Sequence, residues 1–193
     1  MALTESTMLE LGAPAPDFAL PDVTSGKTVS LSEATREKGV LVMFICSHCP
    51  FVVHINAALG QLGRDYANQP VGIVAICSND PVSHPKDAPE NLRKQVAEQG
   101  FTFPYLVDET QEVAKAYRAA CTPDLYLFDA NKKLVYRGQF DSSRPGNDVP
   151  VTGKDLRAAL DALIAGKPIS DQQTASIGCN IKWRPGNEPA YSG

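Results

Sequence analysis

The sequence predicts an α/β fold in which helices flank a central mixed sheet, with a β-hairpin before it and a tail after it. Three observations carry this reading. Residues 40–46 and 71–77 are continuous apolar runs rich in β-branched side chains, as strands buried on both faces require. Each is followed by a stretch with helical periodicity. Residues 125–129 and 133–140 then flank Ala130-Asn131-Lys132 as a second hairpin. Alternating strands and amphipathic helices imply a layered structure with helices covering the sheet.

The elements follow in order. Residues 17–23 and 27–31 are extended stretches around Thr24-Ser25-Gly26, the first hairpin. After the run at 40–46, Pro50 suits the first turn of a helix. Phe51, Ile55, Leu59, Leu62 and Tyr66 then recur at spacings of three and four, giving one apolar helical face. Asp87-Ala88-Pro89-Glu90 reads as a helix start with a capping side chain and an acid three residues on, and that helix should end at Gly100. Residues 104–107 form a short strand, and 108–111 open a helix carrying Val113 and Tyr117. Residues 152–166, with Leu156, Leu160, Leu163 and Ile164, make the last amphipathic helix. Residues 1–11 are expected as a loose leader, 12–166 as one domain, and 167–193 as a tail packed on it.

The 193 residues suit one domain. A net charge of -4 without any basic run argues against nucleic acid and anionic membrane as partners. The longest apolar run, at 40–46, is far too short to cross a bilayer, and the first residues lack the positive start of a secretory signal. These features predict a cytoplasmic setting, where paired cysteines are catalytic or metal-binding rather than structural. The five cysteines, Cys46, Cys49, Cys77, Cys121 and Cys179, are odd in number and cannot complete a disulfide framework.

Cys46-Ser47-His48-Cys49 lies where a buried strand hands over to a helix. Helix N-terminal N–H groups and the helix dipole stabilise an anion, so a thiolate is favoured there. This reading makes Cys46 the attacking thiolate, with a depressed pKa, and Cys49 the thiol that closes the ring. A protonated His48 would stabilise the thiolate further. The metal alternative draws on Cys46, His48 and Cys49 as three ligands, but the second ligand pair of a structural zinc site is missing from the sequence. No metal or organic cofactor is expected.

With these residues in place, the chain resembles the thioredoxin superfamily over residues 12–166. Gly12-Ala13-Pro14-Ala15-Pro16-Asp17-Phe18, followed by Val29-Ser30-Leu31, is similar to the opening of the AhpC/TSA peroxiredoxin and TlpA-like branch. Cys46-Ser47-His48-Cys49-Pro50 resembles the thioredoxin dithiol, and Thr122-Pro123 resembles the cis-proline loop that faces it. Peroxiredoxin-like proteins carrying a CxxC are similar at Cys46–Val52, at Cys121-Thr122-Pro123-Asp124 and at Gly178-Cys179-Asn180-Ile181-Lys182-Trp183.

The resemblance implies a thioredoxin-like fold and a thiol–disulfide oxidoreductase that reduces or oxidises protein or small-molecule disulfides. It implies a strand edge at Thr122 and Pro123 open to a substrate backbone, and an unidentified thiol system as electron donor. Peroxiredoxins bind peroxide through Pro-x-x-x-Thr-x-x-Cys and a distant Arg. With Cys49 at the peroxidatic position, those places hold Val42, Cys46 and a residue near Pro123, which disfavours a peroxidase using Cys49. The buried Asp of thioredoxins is replaced by Val40 and their Trp by Ile45, which leaves proton handling to His48. A binding module without turnover is the other alternative.

The remaining candidates are secondary. Cys121 precedes Thr122 and should lie near the dithiol. Cys179, in the tail, reads either as a quiet thiol of a packed segment or as a redox thiol that bridges Cys121 or takes the disulfide from the dithiol by a relay. Cys77 ends a buried strand and should act as a small apolar side chain. His54 follows the dithiol on its helix, His84 should be solvated in a loop, and the acids at helix starts read as caps.

Overall fold

The computed structural model describes residues 3–192; the first two residues of the expected leader and the last of the tail lie outside them. In chain order the elements are β1 (Leu3–Glu5), β2 (Ala19–Pro21), β3 (Thr28–Ser30), α1 (Leu31–Ala34), β4 (Gly39–Phe44), α2 (Pro50–Tyr66) and β5 (Val71–Cys77). A 3-10 turn at Pro85–Asp87 leads to α3 (Pro89–Gln99), β6 (Tyr105–Val107), α4 (Glu112–Ala116) and β7 (Cys121–Thr122). The chain ends with β8 (Asp124–Asp129), β9 (Leu134–Gly138), α5 (Lys154–Ile164) and β10 (Ile177–Asn180). No helix among the described residues is long and apolar enough to cross a membrane.

The sheet is mixed: β4 pairs antiparallel with β8, β8 antiparallel with β9, and β5 parallel with β6. The end of β4 meets β5 through the Ile45 N–H, which donates to the Ile76 carbonyl at 3.1 Å. Every residue of β4 is buried, because side chains alternate and both faces are covered. Leu41, Met43 and Ile45 enter a core with Leu59 and Leu62 of α2 and Leu156 and Leu160 of α5. Val40, Val42 and Phe44 enter a second core with Leu31, Ala114, Tyr117 and Ile181. Full burial of one such large apolar side chain stabilises by about 1.5–3 kcal/mol, so the two cores hold the layers together.

Local chemistry bounds the helices: α1 begins at Leu31, inside the stretch expected to be extended, whereas α3 ends at Gly100 as expected. Ser30 and Glu33 form a reciprocal capping box at α1. Gly100 closes α3 in the left-handed region at φ 65°, a conformation glycine adopts without steric cost.

The two chain ends depart from expectation. Leu3–Glu5 are not a loose leader, since β1 pairs antiparallel with β10 in the register Leu3↔Cys179, Thr4↔Gly178, Glu5↔Ile177. On its other edge β10 pairs antiparallel with β7, Cys179 facing Thr122 and Asn180 facing Cys121. Together the three strands satisfy backbone groups that would otherwise be buried unpaired. Beyond β10, Lys182 is tied down: its N–H donates to the Asn79 side chain at 2.8 Å, and its carbonyl accepts from the Asp80 N–H at 2.8 Å and Gln111 Nε2 at 2.9 Å.

Gly178 is required by this approach. A Cβ there would lie 2.0 Å from the Thr122 carbonyl oxygen and 2.8 Å from its carbon, both fixed backbone atoms. Gly178→Ala should therefore push β10 off β7 and destabilise the fold by about 1–3 kcal/mol, as overpacking does. Thermal unfolding of the variant checks this, and an unchanged midpoint would contradict the close packing.

Candidate redox site

Strand β4 delivers Ile45 and Cys46, and residues 47–49 cross to α2. Pro50 occupies the first helical position, so Cys49 is the N-cap residue, with extended φ/ψ of -65° and 124°. Cys46 lies three residues outside the helix. Both cysteines are fully buried, and all five cysteines of the chain are reduced.

The Cys49 sulfur is the centre of the cluster. Its Sγ lies 2.8 Å from Cys179 Sγ and 3.2 Å from the Thr122 carbonyl oxygen. The Cys46 thiol donates to the Cys49 sulfur, and this contact, with help from the Cys179 thiol and the Val52 N–H, outweighs burial and lowers the Cys49 pKa to about 5. The Val52 amide acts without forming a full capping hydrogen bond. The Thr122 carbonyl opposes it: that contact suits a protonated Cys49, which would donate to it. Two thiol donors and a helix N-terminus prevail over one carbonyl, so Cys49 carries the thiolate.

The neighbours move the other way. The hydrogen bond to Cys49, burial and the Asp87 charge push Cys46 well above the usual thiol range. Burial and the contact with Cys49 push Cys179 up to about 12. The expected lowering of the Cys46 pKa is thus reversed by the hydrogen bond to Cys49, burial and the Asp87 charge, and Cys49 rather than Cys46 is the N-cap residue. Thiolate absorbance should titrate with a midpoint near 5, and that step should vanish in Cys49→Ser. A midpoint in the ordinary thiol range near 8.5 would contradict the assignment.

His48 belongs to a second cluster, around Asp87. Its Nδ1 lies 2.6 Å from Asp87 Oδ2, with the Asp87 side chain fully buried and the imidazole 13% exposed. Asp87 also accepts from Asn79 Nδ2 at 2.8 Å, the Ser47 N–H at 2.9 Å and Ser47 Oγ at 3.0 Å. The Ser47 hydroxyl further contacts the Lys86 carbonyl. Burial alone would raise the Asp87 pKa, but the His48 and Asn79 hydrogen bonds hold it below the usual carboxylate range. An ionised carboxylate only accepts, so the His48 Nδ1–H donates to Asp87. Ligand atoms of Cys46, His48 and Asp87 lie within 4.8 Å of one another. That set could hold a soft or borderline cation, with Asp87 replacing Cys49 of the ligand set expected from the sequence. Asp87 and His48 are already bonded to each other, an arrangement that also suits a histidine oriented by a carboxylate.

Asp87 is the site residue that sequence reasoning missed. It reads as a cap, yet α3 takes Ala88 as N-cap without a side-chain bond, because Pro89 sits at its first position. The expected solvated His84 instead stacks on His48 with ring centroids 5.2 Å apart. His54 bonds Ser143 Oγ at 2.7 Å, on a different contact from the dithiol. Cys77 is buried, and desolvation raises its pKa.

The Thr122–Pro123 peptide is cis, as the sequence suggests. Thr122 Oγ1 lies 3.4 Å from Cys46 Sγ. The edge expected to be open for a substrate backbone is instead taken by β10 of the same chain, because the tail doubles back along Cys121 and Thr122. Cys121 and Cys179 do not bridge. Cys179 stands opposite Thr122 and shares its face, whereas Cys121 faces Asn180, and alternation sends its side chain to the other side. The Cys121 thiol donates to the Pro123 carbonyl at 3.6 Å, and burial raises its pKa.

Comparison with known proteins places this geometry in context. The model of the AhpC/TSA family matches residues 11–137. Thiol-disulfide oxidoreductase ResA of Geobacillus thermodenitrificans is 30% identical over 131 residues, 68% of this chain and 70% of that protein. A solved structure described as an uncharacterized conserved protein from Geobacillus kaustophilus superposes with a TM-score of 0.94 at 54% identity, covering 96% of this chain and 98% of that one. The thioredoxin domain of a thiol-disulfide oxidoreductase from Bacteroides vulgatus shares the fold, with a TM-score of 0.62 at 20% identity over 81% of this chain and 99% of that one.

Proposed function

The chain belongs to the AhpC/TSA family, and from that premise we propose that it exchanges disulfides through the Cys46–Cys49 dithiol. Its class is that of a thiol–disulfide oxidoreductase with a thioredoxin-like fold. The observation that carries the proposal is the Cys49 sulfur at the helix N-terminus, its pKa lowered to about 5 beside the Cys46 thiol.

The roles follow from this arrangement. The Cys49 thiolate attacks one sulfur of a substrate disulfide. A Cys49–substrate bond forms, and the other substrate sulfur leaves as a thiolate with the electron pair. Cys46 then loses its proton, attacks Cys49 Sγ and expels the second substrate thiolate. Two electrons have passed to the substrate, and Cys46 and Cys49 are joined. The His48–Asp87 pair, with one ligand atom of each within 4.8 Å of the Cys46 sulfur, is the group we assign to the Cys46 proton. It fills the place that Val40 leaves vacant. The reverse sequence oxidises a substrate dithiol. A donor or acceptor thiol system resets the pair, and protein or small-molecule disulfides are the substrates.

Glutathione disulfide tests the reading. Peptide mapping of the treated protein should recover a Cys46–Cys49 link, and Cys49→Ser should take up no equivalent bond at Cys46. Recovery of an unlinked dithiol under conditions that oxidise free cysteine would sink the proposal.

A further inference from the structure

The dithiol has a neighbour that its two-thiol cycle leaves unused. Cys179 lies 130 residues from Cys49 in sequence, yet their sulfurs are 2.8 Å apart and both residues are buried. Its strand pairs with the residue before the cis-proline, where a substrate backbone was expected to lie. Seating there is specific. Gly178 lets the backbone close on Thr122, Ser176 Oγ donates to the Gly138 carbonyl at 2.6 Å, and the Ile181 N–H donates to the Ala120 carbonyl at 3.0 Å. Thus the tail presents a thiol to Cys49 from a fixed strand on the cis-proline loop.

We infer that Cys179 is an internal substrate, a third redox thiol that takes the disulfide from Cys46 by bonding to Cys49. The inference rests on the dithiol reading above. In the step, Cys179 Sγ gives up its proton and attacks Cys49 Sγ of the Cys46–Cys49 disulfide. The Cys49–Cys179 bond forms, the Cys46–Cys49 bond breaks, and Cys46 leaves with the electron pair and takes up one proton. No net electrons move, so no oxidant or reductant is consumed. The disulfide has passed from a strand end inside the core to the tail. By the same attack Cys179 can displace a substrate thiolate from Cys49 when Cys46 is absent. Fixed placement makes this intramolecular step fast relative to reaction with an outside thiol.

Glutathione disulfide on Cys46→Ser reads the step directly. The Cys49 thiolate takes glutathione as a mixed disulfide, and Cys179 should expel it, leaving a Cys49–Cys179 link in the peptide map. The adduct should persist at least about tenfold longer in the Cys46→Ser, Cys179→Ser double variant. Equal adduct lifetimes in the two variants, with wild type still closing Cys46–Cys49, would overturn the inference and spare the dithiol reading. Failure of wild type to form any Cys49 disulfide would overturn both. Should Cys46→Ser not fold, partly oxidised wild type must yield a Cys49–Cys179 peptide, and its absence there counts against the inference equally.

Discussion

Cys49→Ser should reduce disulfide exchange to the background of the buried thiols, a larger loss than any other single substitution in the site. The serine hydroxyl is not ionised at neutral pH, so the acceptor that draws the Cys46 and Cys179 thiols together is lost. Cys46→Ser should behave differently. It keeps the attacking sulfur, so a single bond to substrate still forms while the two-thiol cycle stops. The low pKa of Cys49 has two effects: it makes the sulfur a thiolate at neutral pH, and it makes Cys49 a good leaving group when its disulfide is attacked. Initial rates with a chromogenic disulfide across the two variants check the contrast. Equal residual rates would reverse the roles given to the two sulfurs.

Asp87→Asn should be the most destabilising conservative change near the site, by about 3–5 kcal/mol, because it removes the buried charge on which several hydrogen-bond donors converge. The carboxylate accepts from His48, Asn79 and both the amide and hydroxyl of Ser47, and an amide cannot accept at both of its termini. The thermal midpoint should fall by roughly 6–20 °C for a chain of this size. The sign with pH follows from the lowered Asp87 pKa. Its contribution is fully present above the unfolded carboxyl value near 3.9 and is lost as pH falls through the lower folded value. Wild type should therefore lose stability steeply at acid pH, and Asp87→Asn should flatten that part of the profile. Parallel profiles for the two proteins would remove Asp87 from the argument.

Two proline positions explain what could be read in advance. Pro50 at the first helical position makes Cys49 the N-cap, and Pro89 makes Ala88 the N-cap. Taken strictly, the first assigns the thiolate to Cys49, and the second excludes Asp87 as a cap and leaves its charge to be neutralised elsewhere. Both prolines stand in the sequence, but a helix-start pattern places an anion site or a cap only to within a turn and does not separate Cys46 from Cys49 or Asp87 from Ala88. The strands of the main sheet were legible because residues 40–46 form a continuous apolar run, as burial on both faces requires. The β1–β10–β7 ribbon was not, since strands of three, four and two residues carry too little pattern for any period to register. The 2.8 Å meeting of Cys49 with Cys179 depends on that ribbon, and spacing along the chain holds no trace of it.

The same ribbon sets an order of events during synthesis. Cys179 follows Cys49 out of the ribosome by 130 residues. At about 5–20 residues per second, the pair exists for roughly 6–26 s before the strand that will cover Thr122 has been made. A nascent chain in that interval offers an uncovered dithiol and, once Thr122 has been made, an unpaired strand edge to anything nearby, including other nascent chains. Pairing of β10 with β7 closes that window, so a strand made 130 residues after Cys49 covers the edge beside the dithiol.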